Sequence, residues 1–262
     1  MRAQMLATDP ARGFITEHAH YLDDAGFWQA HAVRLGGPVV ELGAAVGRIA
    51  VPLAAAGLSV IAVDSDAAML AVLMERAAEA GVQARITPLL GDMAHVALPC
   101  PTPLIIVPMN TLQVLVSPDD RRALFANVAS ALAPGGEFIF DLTVPDLRNA
   151  AAAVGDIIPT GKHRDSATGD VLVHSAVFDV VDPTTHTVDF RVIIDRRLAD
   201  GSRAHDERRH LVHLYEPAEV GALVEAAGLT TIAVHAGFHG EPFDPTHAER
   251  QVWRCVKPGG AE

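Results

Sequence analysis

Gly37-Pro38-Val39-Val40-Glu41-Leu42-Gly43-Ala44-Ala45-Val46-Gly47-Arg48 is the stretch that decides the fold. Residues 38–42 form a short apolar run that reads as a strand, and helical spacing follows over residues 47–56. The glycines between them let the backbone turn tightly and approach a ligand closely, while the next helix offers free N–H groups. The same alternation repeats downstream. Residues 59–63 are β-branched and end on Asp64, and residues 66–80 are rich in Ala, Leu and Met. Residues 84–90 and 103–107 predict a third and a fourth strand, and residues 119–132 a helix with Ser117 as N-cap and Pro118 in its first turn. Pro134-Gly135-Gly136 stops that helix, and residues 137–142 predict strand five. Continuous apolar strands alternating with helices require a parallel sheet covered on both faces. Right-handed crossovers then make a doubly wound α/β layer the economical topology.

After Asp141 the rhythm changes. Between residues 157 and 215 the strands show period-two character without intervening helices, over residues 171–181, 187–198 and 207–215. Asp182-Pro183 and Asp200-Gly201 mark the turns. This predicts an antiparallel insertion or extension built on one end of the sheet. The parallel pattern resumes with a helix over residues 217–227 capped by Gly228, a strand over residues 230–235 and a last strand over residues 251–256.

Composition narrows the function classes. The 262 residues are 50% hydrophobic and only 20% charged, enough to bury a large core and incompatible with disorder. A net charge of −12 disfavours nucleic acid and anionic membranes as partners. No basic tract and no Asn-Pro-Pro-Tyr-like base-flipping motif occurs. Residues 96–118 are free of charge but contain Pro99, Pro101, Pro103 and Pro108, which a membrane helix would not tolerate together. The first ten residues have no signal-peptide-like apolar stretch, so the expected setting is the cytoplasm, with a homodimer allowed. Cys100 and Cys255 are far apart in apolar contexts and are expected to be buried free thiols.

In an open α/β sheet the ligand lies beyond the C-terminal ends of the strands. Gly43 and Gly47 lie at the first of these ends. Asp64 ends the second strand twenty-one residues after Gly43, where its carboxylate can accept hydrogen bonds from a ribose diol. An adenosine-containing ligand fits that pairing.

The turn from Glu41 to Gly47 and Arg48, the strand ending at Asp64, Gly91-Asp92-Met93 and Ala133-Pro134-Gly135-Gly136 together resemble the Rossmann-like (class I) S-adenosylmethionine (SAM) dependent methyltransferases. The motifs stand in that family's order and spacing over residues 21–142, and the terminal helix and strands fit as well. The resemblance implies a mostly parallel seven-stranded sheet, an N-terminal helical lid, and an antiparallel β extension between strand five and the last helix. As a single domain this divides into a lid at residues 1–36, a SAM-binding core at 37–146 and 216–262, and an acceptor-side extension at 150–215. SAM is the implied cofactor and S-adenosylhomocysteine its product. By the same resemblance Glu41, Gly43, Ala44, Gly47 and Arg48 hold the methionyl part, Asp64 the ribose, and Asp92 with Met93 the adenine. Pro108 and Asn110 lie near the transferable methyl. Ser65 and Met69 follow Asp64 as further cofactor-side candidates, although Met69 and Met74 also read as core filler. A dinucleotide dehydrogenase would prefer a third glycine opening the helix, which is absent. One departure stands out: the family's middle glycine is Ala45 here, followed by Val46. Alanine is tolerated there if its φ is negative, packing more tightly on the ligand.

On the acceptor side, residues 14–28 resemble the lid of small-molecule methyltransferases, whose tyrosine matches Tyr21 and faces the methyl. The extension resembles that of small-molecule N-methyltransferases. His163, His174, His186, His205, His210 and His213 fall within it, and His174 and His213 join Tyr21 and Asn110 as catalytic candidates. No metal is expected: His210 and His213 have odd spacing and point to opposite faces of a strand, and no acidic metal-binding cluster is evident. The expected reaction is methyl transfer to a small-molecule acceptor, most simply an amine nitrogen, by in-line displacement with catalysis through proximity and orientation. Alternatives are O-methylation with a histidine base, a SAM-dependent cyclisation, and a SAM-binding protein without catalysis.

Overall fold

The computed structural model describes residues 24–164 and 169–259. They fall into two compact units, one within Pro145–Leu214 and the other within Tyr21–Val144 and Tyr215–Glu262. The larger unit opens with α1 (Ala25–Leu35), followed by β1 (Val39–Leu42), α2 (Ala50–Ala55), β2 (Val60–Asp64), α3 (Ala67–Glu79), β3 (Ile86–Leu90), β4 (Thr102–Val107), α4 (Pro118–Ala131) and β5 (Leu132–Thr143). After the smaller unit it resumes with α6 (Pro217–Ala226), β10 (Thr230–His235) and β11 (Arg250–Val256). These strands form one seven-stranded sheet in the order β10-β11-β5-β4-β1-β2-β3. β1 to β5 pair in parallel, and β11 runs antiparallel to both β5 and β10, so six strands share one direction.

Side chains alternate across a strand, so each buried strand feeds two cores. Val39, Leu104, Ile106 and Ile139 join Leu53, Leu73 and Trp28 on one side of the sheet. Val40, Ile105, Phe138 and Phe140 join Phe125, Val128 and Val220 on the other. Burying any one of these large side chains contributes about 1.5–3 kcal/mol, which is why the apolar runs of the sequence locate the strands so well. Ser117 caps α4 as predicted, its side chain accepting from the Asp120 N–H with Pro118 in the first turn. Asp66 does the same for α3 through Ala68 N. Among the described residues no helix is long and apolar enough to cross a membrane.

The smaller unit contains α5 (Leu147–Ala152), β6 (Ile158–Arg164), β7 (Val171–Asp182), β8 (Thr187–Arg197) and β9 (Arg203–His213). All four strands are antiparallel neighbours in a sheet of their own, ordered β6-β7-β8-β9. The expected extension is therefore present, but it does not prolong the seven-stranded sheet. Its strands bear polar residues at alternate positions and pair among themselves, which leaves no strand to join the parallel layer. A second correction concerns Cys100, which is exposed, whereas Cys255 is buried as expected. Cys100 sits among Pro99 and Pro101 in the loop before β4, where the apolar context comes from prolines that cannot enter a core strand.

Candidate active site

The strand order places four sequence segments side by side. β3, β2, β1 and β4 are adjacent, and all four run in the same direction. Their C-terminal ends thus carry Asp92, Asp64, the Gly43–Gly47 turn and Asn110 in a row. At about 4.8 Å per strand that row is about 15 Å long, the span of an extended nucleoside with a side chain attached. Crossover connections leave this edge of the sheet open, which is why ligands gather there.

The turn after β1 is held from both sides. Gly43 has φ +71°, and a Cβ on it would lie 2.3 Å from Thr111 Cγ2, so only glycine fits against the β4 loop. Ala44 N–H donates to Val63 O at 2.9 Å, and Ala45 N–H donates to Asp64 Oδ2 at 2.8 Å. The other Asp64 oxygen accepts from Asp66 N at 2.9 Å. Each oxygen keeps a second lone pair, so the carboxylate can still receive a diol. Ala45 itself has φ +44°, which corrects the expected negative value. The middle position of this turn demands left-handed backbone whether or not glycine supplies it, and alanine carries the resulting strain.

Electrostatics are concentrated under the turn. Asp24 is fully buried and binds both Nη atoms of Arg48 at 2.5 and 2.8 Å, and Trp28 Nε1 at 2.8 Å. Arg48, expected on the cofactor, thus anchors α1 to the turn. Glu41 is buried nearby, accepts a hydrogen bond from Ala50 N–H and leaves Oε2 without a partner among the described residues. Burial pushes its carboxyl up to about 8, against the pull of Arg48, with Asp24 and Asp64 adding to the rise. Asp141, also buried, is pushed up to about 6 by burial, opposed by Arg250 and by the Met109 N–H.

Asp141 fixes the loop that follows β4. Its Oδ1 accepts from Met109 N at 2.6 Å, and its Oδ2 pairs with Arg250. Met109 and Asn110 both hold left-handed backbone, φ +64° and +59°. Two such residues in succession need over-determination by their surroundings. The Asp141 bond supplies part of it, and Thr111 Oγ1 to Pro108 O (2.6 Å) and Tyr215 OH to Leu112 O (3.0 Å) supply more. Asn110 Oδ1 is buried and accepts no hydrogen bond among the described residues.

The remaining candidates distribute unevenly. Pro108 is buried at the end of β4, Met93 is nearly buried, and Asp92 is exposed, turning to accept from Ala94 N at 2.8 Å. Gly47 is buried, Ser65 is exposed, and Met69 is half-buried on α3. Tyr21 lies outside the described residues, as does most of the expected lid. His174 and His213 are both buried in the smaller unit, on β7 and β9. His174 pairs across β7–β8 with Ile194, whereas His213 pairs across β8–β9 with Thr187. Seven residues of β8 separate those partners, about 23 Å, so the two histidines cannot serve one reacting atom. Asp24, Asp141 and Arg250 were not picked out from the sequence. A carboxylate ending strand five and an arginine opening the antiparallel strand paired to it are the available signal; their register is Thr143 to Arg250 and Asp141 to Val252.

Residues 39–136 match the family model described as a methyltransferase domain. The core is that of a class I SAM-dependent methyltransferase. A cypemycin N-terminal methyltransferase from Streptomyces sp is 25% identical over 227 residues, covering 83% of this chain and 82% of that protein. The solved CcbJ methyltransferase from Streptomyces caelestis is 25% identical, covers 90% of each chain and superposes with a TM-score of 0.72. SAM-bound CalS10, an amino pentose methyltransferase from Micromonospora echinaspora, shares the fold at 17% identity, with a TM-score of 0.65 over 92% of this chain and 91% of its own.

The residues at the strand ends suit the methyltransferase cofactor, SAM. Glu41 Oε2 is a buried acceptor with no partner, and the surrounding excess of carboxyl groups favours a ligand carrying positive charge. Asp64 retains free lone pairs for a ribose diol. When bound, SAM supplies an electrophilic methyl on a sulfonium.

Proposed function

We propose that this methyltransferase, of natural-product type, acts on an amine nitrogen of a small-molecule acceptor. The observation that carries the proposal is Asn110. Its Oδ1 is a buried, unpartnered acceptor on the loop after β4, held in place by the Asp141 bond to its neighbour. An amide oxygen can accept an N–H and so aim a nitrogen lone pair, but it cannot remove a proton. A neutral amine is nucleophilic without a base, whereas a hydroxyl needs one. The cypemycin relative, named for N-terminal methylation, supports the same class of acceptor. On this reading Glu41, Gly43, Ala44, Gly47, Asp64, Ser65, Met69, Asp92, Met93 and Pro108 hold the cofactor. Arg48 acts on it through the turn. Residues 1–36 serve as the lid, and residues 150–215 select the acceptor. The chain's share of catalysis is orientation and exclusion of water.

The test is turnover of matched amine and hydroxyl acceptors, with product mass read for one added methyl. Asn110→Ala is expected to lower kcat by about tenfold for amines, the cost of one aligned hydrogen bond, while SAM affinity stays within about twofold. Faster turnover of hydroxyl acceptors, or an unchanged kcat in Asn110→Ala, would overturn the amine assignment.

A further inference from the structure

One face of the four-stranded sheet changes character along its length. Toward the β7–β8 turn its arginines are matched. Arg191 forks onto Asp179 at 2.7 and 2.8 Å and reaches Glu207 at 3.1 Å, and Arg209 binds Asp189 through Nε and Nη2 at 2.8 and 2.5 Å. At the opposite end the register aligns Arg164, Val171, Arg197 and Arg203 in one row across β6, β7, β8 and β9. The neighbouring row on the same face is Lys162, Val173, Asp195 and His205, two residues along each strand.

This second arrangement is costly as it stands. Arg197 and Arg203 are direct cross-strand partners, and like charges directly opposite destabilise a pair of strands. Lys162, Arg197 and Arg203 form no hydrogen bond or ion pair among the described residues. Among the described residues Arg164 donates to Gly169 O alone, at 3.1 Å. The single acid of the group, Asp195, is hydrogen-bonded to His205 at 2.8 Å. Lys162, Arg164, Asp195, Arg197 and Arg203 line a cavity of about 740 Å³ with Val171 and Val173 between the cations. In a chain of net charge −12, five lining cations, Arg196 among them, outnumber the one carboxylate and invert the local sign.

We propose that this cavity binds a small polyanion through its phosphate or carboxylate groups. Guanidinium forks take both groups bidentately, and the valine floor offers no competing acceptor. Arg197 and Arg203 lie one strand apart, and Arg164 lies two strands, about 10 Å, from Arg197. A ligand with two or more anionic groups engages them together, whereas a monoanion reaches only one pair. The bound anion also removes the like-charge repulsion across β8 and β9. This site is independent of the amine assignment: it rests on the smaller unit alone.

The test is calorimetric titration of the full chain with inorganic pyrophosphate and, separately, with citrate, at low ionic strength. Binding of either supports the site, and the preferred anion assigns it to phosphate or to carboxylate chemistry. Arg197→Gln/Arg203→Gln is expected to weaken binding by about tenfold or more, since charge-assisted hydrogen bonds are lost. Arg209→Gln, at the matched end, is expected to stay within about twofold. Arg203→Gln alone, on the edge strand, serves if the double variant does not fold. Failure of both anions to bind overturns the proposal, as does equal binding by wild type and a folded Arg203→Gln variant.

Discussion

Glu41→Gln tests the electrostatics under the cofactor turn. Glu41 is only 3% exposed, so solvent does not screen it, and its carboxyl sits at about 8 rather than the ordinary 4.5. Burial outweighs Arg48 because both Nη atoms of that arginine are already spent on Asp24, while Asp24 and Asp64 push the same way as burial. A carboxyl raised on folding holds its proton in the native state after the unfolded chain has lost it. Its stabilising effect is complete below the unfolded value and disappears as pH rises through the folded one. Between these limits stability should fall by about 1.4 kcal/mol per pH unit from this group alone. From about pH 5.5 to about pH 7.5 that amounts to about 2–3 kcal/mol. Glutamine keeps the shape and cannot ionise. The difference in unfolding free energy between Glu41→Gln and wild type should therefore grow in favour of the variant by that amount over the interval, measured by urea denaturation at a series of pH values. Asp141, raised to about 6, contributes to both proteins in the lower part of the range and cancels in the difference. Parallel pH profiles for the two proteins would refute the reasoning and mean that Arg48 keeps Glu41 ionised.

Three further outcomes follow from the same geometry. Asp64→Ala should weaken SAM binding by about a hundredfold, through loss of the diol contact and of the Ala45 and Asp66 N–H acceptors, and Asp64→Asn by about tenfold; unchanged calorimetric affinity in both would remove Asp64 from the ribose site. Ala45→Gly should stabilise the chain by about 1 kcal/mol, because glycine accepts the left-handed backbone that alanine holds at φ +44°. A lower thermal midpoint in this variant would contradict that strain. Arg48→Met leaves the Asp24 carboxylate buried without its cation and should destabilise by about 3–5 kcal/mol; a loss of SAM affinity with full stability would instead return Arg48 to the ligand.

The legible part of the site was backbone chemistry at strand ends. Gly43 had to be glycine, and the structure shows Thr111 occupying the space a Cβ would need. Asp64 had to end β2, and its two N–H contacts follow from that position. The bond from Arg48 to Asp24 could not be read, because the neighbours of Arg48 in sequence give no hint of Asp24, twenty-four residues earlier, which burial brings against it. The Asp141–Arg250 pair is 109 residues apart and exists only because β11 turns back antiparallel to β5.

The sequence by itself determined the alternating parallel layer, the order of the motifs along it, the cap of α4, and the change to antiparallel pairing after β5. Those features rest on local periodicity, on turn residues and on the cost of exposing apolar strands, all of which act over a few residues. Tertiary structure alone decided that the extension forms its own sheet, that His174 and His213 lie far apart, that Ala45 is strained, and that Glu41 and Asp141 are pushed toward their neutral forms. Each of these depends on which surfaces close over a group, because burial and neighbouring charge set a carboxyl's state, and register sets which side chains meet.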